Sequence, residues 1–587
     1  MSSDSITLIV AGDPLTPIEG KAGLLVECAS DAGWVPAGAA SLQELLGPPE
    51  ESKRIAADLV HGLLDGEPSF EGVRHLYTFK EPLIRAAAEA VRAVRLYGWL
   101  QEQGISRCIF RSHSPFAQLL RGIARHRGTT LEVLEPPEVI FPLPKRIADY
   151  LRATGKRGLG AIPRLALHRI TPLLSRVLLY RREQPKNEHR WWFYSTFYTF
   201  TGIGLAYERA LTSKFTYLIG DPGSAERPLE YAGRPWTEIY AYVRPRQIPS
   251  VRELQQIRDQ LKAHLLRVPL SKDEDLIRQL LMSSVELNEI LYRKLGIGIL
   301  HVRAFDRWCN RERPELLVVG NEVWEGYLLQ KARANGIPTL LLQHGVLGDF
   351  YQVTEHSADL LLVRGRFWLE FISPASQRRS VILNCASPAV SKKMEKGRDL
   401  LFVTADYFVQ KLFHLEDLTD ILRECVRAAS QAKRSLVIRV HPRESSALYQ
   451  EIIRKIAKEG LQADVRYSTG HGLEETISAS AVAVLYSSTV FLDCLRLGVP
   501  VVSFDWHHFA YKDQLRRHGV FAFARNLQHL QSLLLKGLNY ELAPSVNYGD
   551  FVASASDEEV AAFFEAFARN PHKMQEQAES QCQPNSQ

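Results

Sequence analysis

At 587 residues the chain exceeds what one ordinary core organises, so two domains with additional elements are expected. Apolar residues at 45% and charged residues at 24% exclude a mainly disordered chain, a collagen and a coiled-coil rod. Lys and Arg number 72 against 66 Asp and Glu, and a net charge of +6 is too mild over this length for a nucleic-acid binder.

The seven cysteines, at 28, 108, 309, 385, 425, 494 and 582, are scattered singly and form no CxxC. Neither a zinc site nor a disulfide framework is expected, and a reducing compartment fits. The opening MSSDSITLIV has no basic n-region, and its apolar run stops at Gly12-Asp13-Pro14, as a first strand does and a signal peptide does not. No stretch approaches ~20 continuous apolar residues. The expectation is a cytoplasmic protein, peripheral at the inner face of the plasma membrane if it meets a membrane at all.

Ile6–Val10 predicts a strand, Glu81–Gln103 a helix and Arg107–Arg111 a second strand. Ser112-His113-Ser114-Pro115 opens another helix, with Pro in its first turn, and Thr130–Leu134 closes a further strand. Alternation of this kind predicts parallel sheet. Residues 137–190 differ. Twelve Lys and Arg (145, 146, 152, 156, 157, 164, 169, 176, 181, 182, 186, 190) are interleaved with Leu, Ile and Val, against four acids, Glu138, Asp149, Glu183 and Glu188. The segment reads as a basic amphipathic face for anionic lipid or an anionic substrate, or as an ordinary solvated helix face.

Trp191-Trp192-Phe193-Tyr194 begins an aromatic run to Phe200, which reads as a buried strand ahead of a sugar-binding wall. Residues 250–305 are helical in pattern. From 314 onward strands and helices alternate regularly. Strands are predicted at Glu315–Val319, Thr339–Leu342, Leu360–Val363 and Val381–Leu383. A second series runs through Leu400–Val403, Leu436–Val440, Val465–Tyr467, Ala481–Leu485 and Val501–Phe504. The seam lies near 385–400.

Three motifs stand at carboxyl ends of these strands. Tyr486-Ser487-Ser488-Thr489 leads from a strand into a helix, with Asp493 one and a half turns along and Gly498-Val499-Pro500 beyond. Unpaired backbone N–H groups and small hydroxyls there suit a phosphate, and Asp493 suits ribose hydroxyls; simple N-capping by Ser487 or Ser488 is the bland alternative. Arg439-Val440-His441-Pro442-Arg443 sets a His between two arginines, cations and donors for a diphosphate. Gln343-His344-Gly345 puts a His on a glycine-flanked loop, suited to general-base work. Glu322, Glu325 and Asp349 are the carboxylates that serve as base or orient it. Asp273-Glu274-Asp275 follows Ser271 at a helix start, where acids favour the dipole, and is not read as a metal site. GxGxxG, GxxxxGK[ST] and GxSxG strings do not occur.

The three motifs, in this order across two Rossmann-like halves, resemble the GT-B fold of glycosyltransferases, and more narrowly bacterial surface-polysaccharide enzymes. Gln343-His344-Gly345 is similar to the His-Gly motif of CDP-glycerol glycerophosphotransferases and capsule-polysaccharide transferases, where this His is the proposed base or an acceptor-site residue. Gln343 stands where the former usually carry Trp, and Val346-Leu347 where they carry Thr-Pro. Arg439-Val440-His441-Pro442 resembles the His-Pro motif of bacterial polysialyltransferases, where the His contacts donor phosphate. Ser487-Ser488 with Asp493 is similar to their phosphate- and ribose-holding pattern. The resemblance covers about 314–540.

It implies an α/β fold of two Rossmann-like domains, GT-B-like, with a largely helical insertion in the N-terminal half. Residues 1–390 would be the acceptor domain, with the basic and helical insertion at about 137–310. Residues 391–570 would be the donor domain and 571–587 a disordered tail. The implied activity is a metal-independent glycosyltransferase with no tightly bound cofactor. It would move sugar from a CMP-, CDP- or UDP-linked donor to a polysaccharide or lipid-linked acceptor. The donor site would comprise Arg439, His441, Arg443, Ser487, Ser488, Thr489 and Asp493. The catalytic set would be His344, Glu322, Glu325 and Asp349. A polyol-phosphate transferase, a sugar-nucleotide epimerase and a non-catalytic assembly partner are the alternatives.

Overall fold

A computed structural model describes residues 6–11, 22–26, 40–41, 49–71, 73–110, 115–134, 190–196, 198–211, 215–220, 229, 232–234, 236–243, 245–320, 326–343, 356–384, 397–404, 415–441, 444–469, 472–486, 488–504, 515, 518–524, 526–542, 546 and 548–581. The chain forms two compact units. One holds Met1–Pro49, Leu96–Ile162 and Pro388–Tyr548; the other holds Glu50–Arg95, Pro163–Ser387 and Gly549–Gln587.

The first strands are β1 (Ile6–Ala11), β2 (Ala22–Val26), β3 (Ala40–Ser41), β4 (Ile105–Phe110) and β5 (Glu132–Leu134). They lie in the order β3-β2-β1-β4-β5, and every pair is parallel. Helix α1 (Lys80–Glu102) leads into β4, and α2 (Pro115–Arg127) joins β4 to β5 with its Pro in the first turn.

The second sheet contains β6 (Trp191–Ser195), β7 (Thr216–Ile219), β8 (Trp236–Glu238), β9 (Leu316–Val319), β10 (Thr339–Leu342), β11 (Leu360–Val363) and β12 (Ser380–Ile382). Its order is β12-β11-β10-β9-β6-β7-β8, all parallel. Such a sheet is covered on both faces, and its strands are continuous apolar runs. β6 shows why. Trp192 on one face meets Trp308 edge-on at 4.9 Å. Phe193 on the other meets Phe215 at 5.6 Å and Tyr217 at 5.8 Å. Trp191 to Tyr194 are therefore core, not an exposed sugar-stacking wall.

Helices α3 (Tyr198–Ala210), α4 (Val251–Arg267), α5 (Lys272–Met282), α6 (Leu295–Glu312) and α7 (Gly326–Ala334) belong to this unit. The helical insertion is thus narrower than 137–310. Its longest described helical run is 251–312, while 191–242 supplies three strands and α3; β6 pairs with β9, β7 with β6 and β8 with β7. Residues 135–189, including most of the basic segment, lie outside the described residues. Ser271 and Glu274 form a reciprocal capping box at the start of α5. That accounts for the acidic cluster without a cation.

The third sheet contains β13 (Asp399–Val403), β14 (Leu436–Arg439), β15 (Val465–Ser468), β16 (Ser480–Leu485), β17 (Val501–Phe504) and β18 (Ala522–Ala524). Helix α8 (Leu415–Ala432) buries Leu418, Ile421, Leu422, Cys425, Val426 and Ala429, the spacing of one helical face. Each fully buried Leu or Ile contributes roughly 1.5–3 kcal/mol. Helices α9 (Ser446–Lys458), α10 (Leu473–Ser478), α11 (Val490–Arg496) and α12 (Leu527–Leu538) complete this region. α11 ends in a Schellman pattern. The Val499 N–H reaches Cys494 O at 2.8 Å and the Gly498 N–H reaches Leu495 O at 3.2 Å, with Gly498 at φ +70°.

The chain then returns to the seven-stranded sheet. Trp368 Nε1 donates to Phe551 O at 2.8 Å, and a side chain at Gly365 would strike the Phe551 backbone at 2.4 Å. Helix α13 (Asp557–Arg569) buries Val560, Phe564 and Phe567 in one cluster with Trp191, Phe193 and Tyr217. Helix α14 (Pro571–Gln581) adds Ala578 to that cluster. This corrects two expectations: 549–570 belongs with the first-half sheet, and 571–581 is a helix, not a disordered tail. Its polar composition hid an apolar contact through Ala578 and Met574. Among the described residues no helix is long and apolar enough to cross a membrane.

Candidate functional site

Taken in chain order, the strands of the third sheet lie 3-2-1-4-5-6, the Rossmann order. The order reverses between β13 and β16, after which the chain continues outward on the other side. In parallel open sheets of this kind ligands bind outside the carboxyl ends of the strands at that reversal. The residues just beyond β13, β14 and β16 are Thr404, Val440-His441 and Tyr486 to Thr489. Two of the sequence motifs therefore converge on one sheet edge. β14 and β16 stand one strand either side of β13, about 10 Å apart at ordinary strand spacing.

Arg439 ends β14, half-buried, and its Nη1 donates to Ser468 Oγ at 2.7 Å; burial lowers its pKa from the ordinary value. Ser468 Oγ in turn lies 3.2 Å from Thr476 Oγ1. The next turn is closed by the Glu444 N–H on His441 O at 2.8 Å. The His441 N–H donates to Thr404 Oγ1 at 2.7 Å, and Thr404 Oγ1 donates to Glu444 Oε2. Tyr449 donates its O–H to the same oxygen at 2.9 Å. Neither Thr404, Glu444, Tyr449, Ser468 nor Thr476 was singled out by sequence. Glu444 follows the His-Pro-Arg string directly, and Thr404 ends the central strand, which are the two signals available.

Across β13, β16 runs into buried Tyr486. Ser488 Oγ accepts the Val490 N–H at 3.3 Å, a local turn bond just ahead of α11, whose N-cap position is Thr489. Thr489 is exposed at the start of α11. Asp493 is half-buried and lies 3.8 Å from the guanidinium of Arg496, which also meets Glu474 at 3.1 Å. Arg443 and Ser487 lie outside the described residues.

The second sheet has the same reversal between β6 and β9. Ser195 ends β6, and its Oγ accepts the Thr201 hydroxyl at 2.9 Å. Glu322 and Glu325 fall in the stretch after β9, and His344 and Asp349 in the stretch after β10; all four lie outside the described residues. Gln343, immediately before His344, is buried and pinned. Its N–H donates to Leu362 O at 2.9 Å and its Oε1 accepts the Arg364 N–H at 2.7 Å. Among the described residues no group of three His, Cys, Asp or Glu is placed to hold a metal ion.

No family model matches the sequence. No curated protein matches it either. Solved structures do. UDP-GlcNAc 2-epimerase from Neisseria meningitidis, solved with UDP-GlcNAc bound, is 11% identical at a TM-score of 0.40, covering 65% of this chain and 99% of its own. MurG of Acinetobacter baumannii is 12% identical at 0.39, covering 64% and 99%. The lipopolysaccharide outer core galactosyltransferase WaaB is 11% identical at 0.34, covering 66% and 97%. These likenesses are too remote to assign a family or an activity, and the fold rests on the strand orders themselves.

Proposed function

We propose that the chain is a GT-B-like glycosyltransferase that moves sugar from a nucleotide-linked donor to a surface-polysaccharide or glycolipid acceptor. The observation that carries this is that Arg439-His441 and Ser488-Thr489 follow strands on either side of β13 at one carboxyl edge, beside the strand-order reversal. In this reading Arg439, His441 and Arg443 hold the donor phosphates. Ser487, Ser488 and Thr489 bring hydroxyls and backbone N–H groups to them, and Asp493 takes ribose hydroxyls. Cations and oriented donors would stabilise the charge that develops on the leaving phosphate. His344 removes the proton of the acceptor hydroxyl, oriented by Glu322; Glu325 and Asp349 are the further candidates. The basic segment at 137–190 would hold the enzyme on an anionic membrane surface.

The test is a thermal-shift titration with CMP, CDP, UDP, GDP and ADP, in EDTA and then with Mg²⁺. A ligand at 100 times its Kd adds about 2.7 kcal/mol. Selective stabilisation by a cytidine nucleotide favours an acidic-sugar or polyol-phosphate donor, and a UDP response a hexose donor. Absence of any response with or without Mg²⁺ overturns the reading in favour of a non-catalytic assembly partner.

A further inference from the structure

The turn that carries His441 is held by more than its own backbone. Thr404 Oγ1 accepts the His441 N–H at 2.7 Å and passes its own proton to Glu444 Oε2. A hydroxyl committed in both directions has a fixed rotor. Glu444 Oε2 also accepts the Tyr449 hydroxyl at 2.9 Å, and the Glu444 N–H closes the turn on His441 O at 2.8 Å. The Thr404 N–H donates to Arg439 O at 3.0 Å, tying the same residue to the end of β14. Three separate elements, β13, the turn and α9, thus meet at one carboxylate.

Helix capping does not explain Glu444. The helix that follows is capped by Ser445, whose Oγ accepts the Ala447 N–H at 3.3 Å. The carboxylate instead turns back toward the central strand. Placing a negative charge beside a site for phosphate is unfavourable unless its lone pairs are committed elsewhere, and here two hydroxyl protons occupy one oxygen.

We propose that Thr404, Glu444 and Tyr449 are positioning residues that set the His441 turn for a donor phosphate; this rests on the donor-site reading above. A turn fixed before binding spares the ligand the ordering of that segment, which raises affinity without adding a contact. The three residues touch no donor atom in this scheme.

The full-length chain is titrated calorimetrically with whichever of CMP, CDP, UDP, GDP or ADP stabilises it, alongside Thr404→Val, Thr404→Ser and Tyr449→Phe, with hydrogen exchange read at the His441 amide. Thr404→Val is expected to weaken nucleotide binding about tenfold and to release the His441 amide. Thr404→Ser keeps both hydrogen bonds and should bind within about threefold of wild type. Tyr449→Phe, the milder change, should lose about two- to threefold, and it keeps the test alive if Thr404→Val does not fold. Wild-type affinity in folded Thr404→Val, or in Tyr449→Phe should Thr404→Val not fold, overturns the positioning role alone. Failure of the wild type to bind any nucleotide overturns the donor reading and the positioning role with it, whatever the His441 amide shows.

Discussion

Asp493 and Arg496, three residues apart on α11, lie 3.8 Å from each other, and Arg496 is only 6% exposed. Arg496 is also held by Glu474 at the start of α10 at 3.1 Å. Asp493 is thus a half-buried carboxylate with a cation near it. Asp493→Asn should leave stability within about 0.5 kcal/mol, since Arg496 keeps Glu474. It should weaken nucleotide binding about tenfold if the carboxylate takes ribose hydroxyls. Calorimetry with the stabilising nucleotide decides it; unchanged affinity would remove Asp493 from the donor site.

His344→Ala should spare donor binding and abolish transfer. Gln343 remains anchored to β11 through Leu362 O and Arg364 N, so the variant's backbone is held up to the preceding residue. Single-turnover assays alongside nucleotide titration separate the two effects. Persistent turnover would pass the base to Glu322, Glu325 or Asp349.

Gly498 sits at φ +70°, and a Cβ added there would meet nothing within 4 Å. Crowding is absent, so Gly498→Ala isolates backbone strain. A left-handed alanine costs about 1–2 kcal/mol. Urea unfolding should show that loss in the midpoint with an unchanged slope; a neutral result would mean the turn relaxes.

Burial holds the imidazoles of His75 and His356 well below the ordinary histidine value, at about 4 and about 3, with Arg379 adding to the effect at His356. Both are neutral in the fold and cationic once unfolded below about pH 6.5. Their contribution is complete above that pH and is lost as pH falls toward the folded values. Glu67 acts with the opposite sign. Burial raises it to about 7 despite its bonds from the Leu76 and Tyr77 N–H groups. Its contribution is complete below about pH 4.5 and fades as pH rises through 7. Glu67→Gln should therefore steepen the rise of stability between pH 4.5 and 6.5. Urea unfolding across that range checks it, and an unaltered pH slope would refute the assignment.

Phe564 is fully buried, with ring centroids 5.8 Å from Tyr207 and 6.1 Å from Phe215. Phe564→Ala should cost about 3–5 kcal/mol. Thermal unfolding followed by circular dichroism checks it. A loss under 1 kcal/mol would mean α13 does not complete that core.

Short strands made mainly of apolar residues were legible to the residue. Thr339–Leu342, Leu360–Val363 and Val501–Phe504 coincide with β10, β11 and β17. Burial on both faces leaves such runs no other solution. Pairings between distant segments were not legible. Trp191 to Tyr194 pair with Leu316 to Val319 across more than a hundred residues, and nothing local marks that partnership. The polar helix at 571–581 was hidden for a related reason, because Ala578 gains its burial only from a surface formed far upstream. At the candidate site the string Arg439-Val440-His441 and the hydroxyls before α11 were visible as motifs. Thr404 and Tyr449 were not, since one hydroxyl at a strand end has no spacing signature and acquires its role only when the turn folds back on β13.

The packing of α13 against Trp191, Phe193 and Tyr217 fixes an order of events during synthesis. The middle third of the chain emerges from the ribosome with half of one core face uncovered. The helix that covers it is translated long after the strands it packs on. At about 5–20 residues per second, the 365 or so residues between Trp191 and Val560 take on the order of 20–70 seconds to appear. For that interval an aromatic-rich sheet face lacks its cover, which makes nascent chains of this protein natural clients for holdase chaperones. By the same order, a premature stop anywhere ahead of α13 would leave that face bare.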